Sequence, residues 1–265
     1  MDRDKTDRNI NMDDMMTDNL LTHNVTINGI KVNAVYSKEN IRDIFIPLLQ
    51  TLTDLHKRNH RRILAMLAAP PGAGKSTLLS FLERLAKETP GVEEIQTIGM
   101  DGFHRRQEYL LTHTTVRDGR EIPMVDIKGS PETFELDRLR SGIEAIVSGK
   151  VCSWPVYDRL LHDPVEDALQ IIGEVIILEG NYLLLDTDGW RDLSSLADYT
   201  ISIRAEEDIL KRRLIARRTA SGHPADESEQ FVEYSDMYNA RLCMTNSLRA
   251  DLELVLDPDG RYIKR

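Results

Sequence analysis

Cysteine is scarce in this chain: two of its 265 residues, Cys152 and Cys243, are of this type. They have neither the spacing of a zinc site nor the density of a disulfide-stabilised secreted protein. The sequence also lacks a basic-then-apolar signal pattern near its first residues and any apolar run long enough to span a bilayer. These absences predict a soluble protein of the reducing cytoplasm, with no membrane partner.

Basic residues are fewer than acidic residues. The chain has 34 Lys and Arg against 44 Asp and Glu, which gives a formal net charge of −10. Because a phosphodiester backbone would be repelled by the chain as a whole, we expect no nucleic-acid partner. With 41% hydrophobic residues, the chain can bury a substantial core, either as one domain with attachments or as a domain plus a small lobe.

A loop rich in small residues carries the most information. The apolar run from Ile63 to Leu67 predicts a buried strand before the loop, and apolar residues from Leu78 to Leu85 recur at helical spacing after it. In such a loop the backbone N–H groups surround phosphates, Lys75 reaches the β and γ oxygens, and Ser76 offers a hydroxyl to Mg²⁺. Ala69 occupies the position of the usual first glycine, which the backbone tolerates if its φ is negative. The predicted nucleotide-binding residues are Pro71, Gly72, Ala73, Gly74, Lys75, Ser76 and Thr77.

The order of predicted elements indicates an α/β protein. Residues 1–20 are predicted to be a disordered extension, residues 21–60 to hold an Asn-Gly hairpin and a helix, and residues 61–265 to form the main domain. In that domain strands and helices alternate, which predicts a three-layer P-loop fold with a mainly parallel sheet. The polar, aperiodic segment from Arg105 to Pro131 is expected to form a lid or acceptor insertion over the site.

Two acids stand at the ends of predicted strands. Glu179 closes an apolar strand, where a carboxylate can serve Mg²⁺ or its water shell together with Ser76. Asp101 ends another strand and is our first choice for a general base. For each, the alternative is an acid that only caps the following turn. His104 is predicted to orient the acceptor, the alternative being an ordinary loop histidine.

A basic helix is predicted from Glu206 to Ala220. Arg213 and Arg217 are four residues apart and therefore share one face. Guanidinium groups on that face would stabilise the charge on a transferred phosphoryl group, so we predict both as catalytic along with Lys75. The alternative is a solvated basic face.

A third group of candidates follows a short predicted strand from Val151 to Trp154. Tyr157, Asp158 and Arg159 put an aromatic ring, an acid and a base side by side, which suits a substrate pocket. A bare turn with the same composition is the alternative.

These motifs together resemble the superfamily of uridine kinase, phosphoribulokinase and bacterial pantothenate kinase. The similarity runs from about Arg62 to Leu242 and is greatest to a branch of small-molecule kinases, some of them associated with sugar uptake. It implies transfer of the γ-phosphate of ATP, with Mg²⁺, to a hydroxyl of a sugar, nucleoside or pantothenate-like molecule, with Asp101 as base and Glu179 serving the metal. The segments that carry the resemblance, besides the phosphate loop, are Met100–His104, Lys128–Phe134, Pro155–Arg159 and Leu178–Leu184.

Two other functions remain open. One is a kinase specific for uridine or pantothenate: the Lys-Gly-x-Pro segment at Lys128 resembles pantothenate kinases, whereas His104 departs from them. The other is a nucleotide-binding regulator or assembly factor with slow ATPase activity. No Asn-Lys-x-Asp motif for guanine is present. The expected partner is a small hydroxyl acceptor, and the oligomeric state is left open, a homodimer included.

Overall fold

A computed structural model describes residues 19–27, 29–117 and 119–265; residues 1–18 of the predicted extension and Asn28 of the predicted hairpin turn lie outside these ranges. The strands are β1 (Leu20–Ile27), β2 (Ile30–Ser37), β3 (Ile63–Ala68), β4 (Ile95–Gly99), β5 (Thr114–Arg117), β6 (Arg120–Pro123), β7 (Cys152–Asp158), β8 (Asp163–Ile171), β9 (Val175–Gly180), β10 (Tyr199–Ala205), β11 (Leu252–Leu256) and β12 (Tyr262–Lys264). The α-helices of six or more residues are α1 (Ile46–Asn59), α2 (Lys75–Glu88), α3 (Gln107–Thr112), α4 (Leu136–Val147), α5 (Glu207–Ala220), α6 (Ala225–Phe231) and α7 (Met237–Thr245). None of the described helices combines the length and the apolarity needed to cross a bilayer.

The centre of the fold is a six-stranded sheet in the order β12-β11-β10-β3-β9-β4. Every pairing in it is parallel except that of β11 with β12. The register aligns Ala68 with Gly180 and Gly99 with Glu179, so β3, β9 and β4 end at the same edge. The prediction of a mainly parallel α/β sheet is confirmed, and its carboxyl edge is where such sheets hold ligands.

Side chains of the central strands alternate between two cores. In β3, Ala65 and Leu67 join the core formed with α1, α2 and α5, whereas Leu64 and Met66 join the core formed with α4. β3 and β9 are buried on both faces, which explains why the sequence of β3 is continuously apolar rather than alternating. Helices therefore cover both faces of the sheet, as the predicted three-layer architecture requires.

The N-terminal hairpin of β1 and β2 packs on α2. The ring of Tyr36 stacks on Phe81 with 4.2 Å between centroids, and His23 Nε2 lies 3.2 Å from Ser80 Oγ. Tyr36 belongs to the same buried core as the sheet. The hairpin thus supports the helix that begins at the phosphate loop; the division of the chain at residue 60 stays a prediction.

The candidate acceptor region has more regular structure than the sequence indicates. The segment predicted as a lid or insertion contains α3 and the β5–β6 hairpin. The strand predicted to end at Trp154 is longer: β7 continues to Asp158 and pairs with β8. Pro155 stands inside β7 at a register shift, where a residue without an N–H donor does not break the ladder.

The helical region from Ala225 to Thr245 consists of three consecutive pieces. α6 begins at Ala225, a π-helical turn covers Val232–Asp236, and α7 ends at Thr245. A π-helical turn offsets the side chains that follow it, and such turns are frequent at functional sites.

Candidate active site

The phosphate loop connects β3 to α2 in the geometry that the motif requires. Gly72 and Gly74 have φ values of +83° and +89°, a conformation that favours glycine. Ala69 is not among the described non-glycine residues with positive φ, so it can replace the usual glycine here. A Cβ on Gly72 would lie 3.0 Å from Leu214 Cγ, which means that α5 packs directly on the loop.

The ammonium group of Lys75 is held by three oxygen atoms. Its Nζ donates to the carbonyls of Ala69 and Pro70 at 3.0 and 3.3 Å and to Asn181 Oδ1 at 2.6 Å. Asn181 was not among the predicted site residues, although it follows Glu179 by two positions at the same strand end. The side chain of Asn181 therefore fixes the position of Lys75 at the mouth of the loop.

Ser76 and Glu179 lie in direct contact. The hydroxyl of Ser76 donates to Glu179 Oε1 at 2.6 Å. Burial raises the pKa of Glu179, and the charges of Lys75 and Arg159 and the hydrogen bond from Ser76 oppose that rise. A hydroxyl and a carboxylate are hard oxygen ligands of the kind that Mg²⁺ takes, usually one or two from the protein with water and substrate phosphate completing the shell. These two residues fit the predicted metal site.

Asp101 lies in a 3₁₀ turn, Met100–Phe103, at the end of β4. The hydrogen bonds that the described residues make to it go to its carbonyl, from His104 N at 3.2 Å and His104 Nδ1 at 2.8 Å. The carboxylate oxygens are thereby left available. Its charge acts on Glu179, whose pKa it raises after the larger effect of burial. Asp101 and the predicted metal ligand thus lie at the same edge of the sheet.

His104 is 7% exposed and packs against two rings, Phe134 at 4.0 Å and Tyr157 at 5.0 Å between centroids. Burial lowers the pKa of its imidazole, so the ring is neutral near pH 7. Its Nδ1–H is used by the carbonyl of Asp101. His104 therefore holds the turn that carries Asp101, while a direct contact with the acceptor stays a prediction.

The turn around Asp101 depends on Gly102. A Cβ at this position would lie 2.0 Å from the carbonyl oxygen of Pro155, a backbone atom that cannot move aside. We expect Gly102→Ala to destabilise the protein by about 1–3 kcal/mol or more, because overpacking forces the backbone apart. Thermal unfolding would register this as a fall of about 2–4 °C per kcal/mol.

The matched control for Gly102→Ala is Gly99→Ala, three residues earlier. A Cβ there meets its nearest atom, Glu179 Oε1, at an ordinary 3.8 Å. Its melting temperature should equal or slightly exceed that of the unsubstituted protein. Equal melting temperatures for both variants would contradict the close approach of the turn to β7.

The two predicted arginines of α5 reach different parts of the cleft. Arg213 Nη1 donates to the carbonyl of Ala73 in the phosphate loop at 3.4 Å. The side chain of Arg217 keeps some exposed surface. Desolvation by neighbouring protein atoms lowers the pKa of its guanidinium, and the positive charge of Arg159 lowers it further. The negative charges of Asp236 and Asp101 act in the opposite direction. Arg213 thus contacts the phosphate loop, and the charges of Asp236 and Asp101 act on Arg217; contact of either arginine with a phosphate stays a prediction.

Asp236 is an acid near the predicted arginines that the sequence did not indicate. It ends the π-helical turn, and burial raises the pKa of its carboxyl against the opposing charges of Arg217, Arg218 and Arg159. An acid within a polar helix gives no sequence signal, because any exposed helix face has the same composition.

Tyr157, Asp158 and Arg159 have different environments at the end of β7. Tyr157 is half-buried, and burial raises its pKa to about 12. Asp158 Oδ1 accepts the backbone N–H groups of Leu160 and Leu161 at 2.7 and 3.0 Å, so its carboxylate holds the β7–β8 turn. Contact of these three residues with an acceptor remains a prediction, with Asp158 already occupied in part by the turn.

The geometry accords with what comparison with known proteins finds. The family model described as "Phosphoribulokinase / Uridine kinase family" matches residues 64–251. The chain belongs to this family. It is therefore a P-loop small-molecule kinase, a phosphotransferase, and the family implies use of ATP, usually with Mg²⁺.

Similar proteins cover most of the chain. The "Uncharacterized protein YggC" of Escherichia coli K12 is 41% identical over 233 residues, which is 88% of this chain and 94% of that protein. The "Putative uridine kinase C227.14" of Schizosaccharomyces pombe is 30% identical over 203 residues, 74% of this chain and 84% of that protein. The crystal structure of a "putative fructose transport system kinase" from Silicibacter sp. TM1040 has a TM-score of 0.68 and 30% identity, and covers 79% of this chain and 98% of that one.

Proposed function

We propose that this chain transfers the γ-phosphate of ATP, in a Mg²⁺-dependent reaction, to a hydroxyl group of a small molecule. The observation that carries the proposal is the meeting of three strand ends: the phosphate loop after β3, Glu179 at the end of β9 and Asp101 just after β4. Such an edge supplies a phosphate cradle, an acid for the metal and a carboxylate whose oxygens are available for a proton.

Each residue has a role that its environment supports. Asp101 accepts the proton of the acceptor hydroxyl as that oxygen bonds to the γ-phosphorus, and the bond from phosphorus to the β–γ bridging oxygen breaks to release ADP. Lys75 and Arg213 neutralise the charge of the phosphates, and Arg217 faces the region where the transferred group meets the acceptor. Ser76 and Glu179 would hold Mg²⁺, which when bound neutralises charge on the phosphate oxygens.

The segment from α5 to α7 is suited to exclude water. α5 packs on the phosphate loop through Leu214, and the turn from Ser221 to Pro224 connects it to α6. Movement about this turn would cover the nucleotide and favour the acceptor over hydrolysis.

The decisive experiment is ADP release from Mg-ATP with a panel of sugars, nucleosides, pantothenate and polyols, using Lys75→Ala protein as the blank. We expect one class of acceptor to stimulate turnover and to yield a product heavier by one phosphoryl group. ATP binding without stimulation by any acceptor would instead favour a nucleotide-binding regulator with slow ATPase activity.

A further inference from the structure

The amide group of Asn181 has an unused half beside Lys75. An ammonium group only donates hydrogen bonds, so the atom of Asn181 that lies 2.6 Å from Lys75 Nζ is the amide oxygen. This leaves Nδ2, with two N–H donors, on the same carbon atom and next to the ammonium. No hydrogen bond among the described residues uses Nδ2, and because Asn181 is half-buried with Nδ2 open to solvent, these donors can meet a ligand.

Asn181 stands between the nucleotide loop and the proposed base. In the sheet, β9 is the neighbour of β3 on one side and of β4 on the other. The phosphate loop follows β3, Asp101 follows β4, and Asn181 comes directly after β9. A phosphoryl group that moves from ATP to an acceptor at Asp101 therefore crosses the end of β9. The donors of Asn181 lie closer to the group that moves than to the phosphates that stay behind.

The main chain around Asn181 is held from two sides. A Cβ on Gly180 would lie 2.1 Å from Met100 Sδ, which means that β9 ends in tight contact with the residue before Asp101. From the other side, the thiol of Cys243 on α7 donates to the carbonyl of Asn181 at 2.9 Å. Burial raises the pKa of this thiol to about 11, so it keeps its proton at neutral pH. Donors on such a fixed segment need little reorganisation when a phosphate binds.

A neutral donor suits this place better than another cation. Lys75 and Arg213 already bring positive charge to the phosphate loop. A further cation beside Asp101 would form an ion pair with its carboxylate and weaken it as a base. An amide N–H can bind a phosphate oxygen without that effect.

We propose that Asn181 binds the transferred phosphoryl group: Oδ1 orients Lys75, and Nδ2 donates a hydrogen bond to an oxygen of the γ-phosphate. Lys75 can give up its longest bond, 3.3 Å to the carbonyl of Pro70, to a phosphate oxygen and keep its bond to Asn181. The inference rests on the proposed function for the direction in which the phosphoryl group moves, and it adds a residue that distinguishes ATP from ADP.

The first test measures binding of two nucleotides to Asn181→Ala by calorimetry with Mg²⁺. The ligands are ADP and the non-hydrolysable β,γ-imido analogue of ATP. Because hydrogen bonds to charged groups are the stronger ones, the dissociation constant of the analogue should rise roughly 10- to 100-fold relative to that of ADP. Lys75 reaches both the β and the γ oxygens. If Asn181 only positions Lys75, both affinities should therefore fall together, and if it only competes with phosphate for Lys75, both should rise. An unaltered ratio of the two constants overturns the inference.

Two further variants guard against a loss of folding. Asn181→Leu fills the same space without either polar group and should show the same change in the ratio, with a melting temperature that reports whether the variant is folded. Asn181→Gln keeps the amide on a longer side chain and should recover part of the affinity for the analogue. The matched control is Asn33→Ala on the exposed side of β2, which should leave both constants unchanged.

The acceptor assay then separates this inference from the proposed function. With a reactive acceptor, kcat of Asn181→Ala should fall roughly 10²- to 10³-fold, the usual effect of removing one preorganised donor. The binding ratio needs no acceptor, so a changed ratio supports the γ-phosphate contact even if no acceptor is ever phosphorylated. If the unsubstituted protein phosphorylates an acceptor but Asn181→Ala keeps both its nucleotide ratio and its kcat, the role of Asn181 is wrong and the kinase function stands.

Discussion

Asp101→Asn should lower kcat for acceptor phosphorylation by roughly 10²- to 10⁴-fold, the usual contribution of a general base. The substitution keeps the shape of the side chain but removes its ability to take the hydroxyl proton. The backbone carbonyl that binds His104 is unaltered, so the turn and the nucleotide site should persist. Rapid-quench or steady-state rates give the catalytic effect, and calorimetry should give an ATP dissociation constant close to that of the unsubstituted protein.

A suitable control for Asp101→Asn is Asp54→Asn on the exposed side of α1. It makes the same chemical change away from the carboxyl edge of the sheet, and its rate should not differ from that of the unsubstituted protein. Near-normal phosphoryl transfer by Asp101→Asn would exclude Asp101 as an essential base and would direct attention to Asp236, the other acid near Arg217.

The centre of the sheet could be predicted because its two middle strands, β3 and β9, are buried on both faces. β3 is continuously apolar and β9 is apolar up to Glu179, so the small residues after β3 and the acid near the end of β9 indicate where these strands end. β8 gave no such signal, since most of its side chains are exposed and their sequence is polar. Its existence depends on pairing with β7, a tertiary contact that local composition does not record.

Arg62 shows another limit of prediction from local sequence, because it is a buried residue in a stretch that looks exposed. The basic stretch around it predicts a solvated turn, but Arg62 is 5% exposed and donates to the carbonyls of Gly173 and Lys150 at 2.9 and 2.8 Å. These acceptors are more than 80 residues away in sequence. Burial of a cation by remote carbonyl groups is invisible to any argument from neighbouring residues.

The residues of the candidate site likewise divide into those that local sequence indicates and those that it does not. Lys75, Ser76, Glu179 and Asp101 follow from a motif and from strand ends, both of which are local features. Lys128 belongs to the inserted segment, Asp236 to the π-helical turn, and Asn181 is placed by its contact with Lys75. Which of them touch substrate depends on how the inserted segment and the segment from α5 to α7 pack on the sheet, and local sequence does not indicate that packing.

Lys75→Ala should reduce kcat/KM for ATP by roughly 10²- to 10³-fold, a loss typical of removing one preorganised electrostatic group. The ammonium is already positioned by Asn181 Oδ1 at 2.6 Å and by two loop carbonyls, so little reorganisation is needed when phosphate arrives. Alanine removes that charge and leaves three acceptors facing the cleft, where water can replace the lost donor. We therefore expect a large catalytic loss with a small change in melting temperature.

The control for Lys75→Ala is Lys87→Ala, at the other end of the same helix. Twelve residues along α2 correspond to about 18 Å, so the same unit charge is removed far from the phosphates. If electrostatic neutralisation at the loop is the role of Lys75, the Lys87 variant keeps full activity and the Lys75 variant loses it. Equal and small effects of the two substitutions would mean that the loop amides and Arg213 bind the phosphates without the lysine. ATP titrations at increasing ionic strength distinguish these outcomes, because only a direct charge contact should make the affinity difference between the two variants depend on salt.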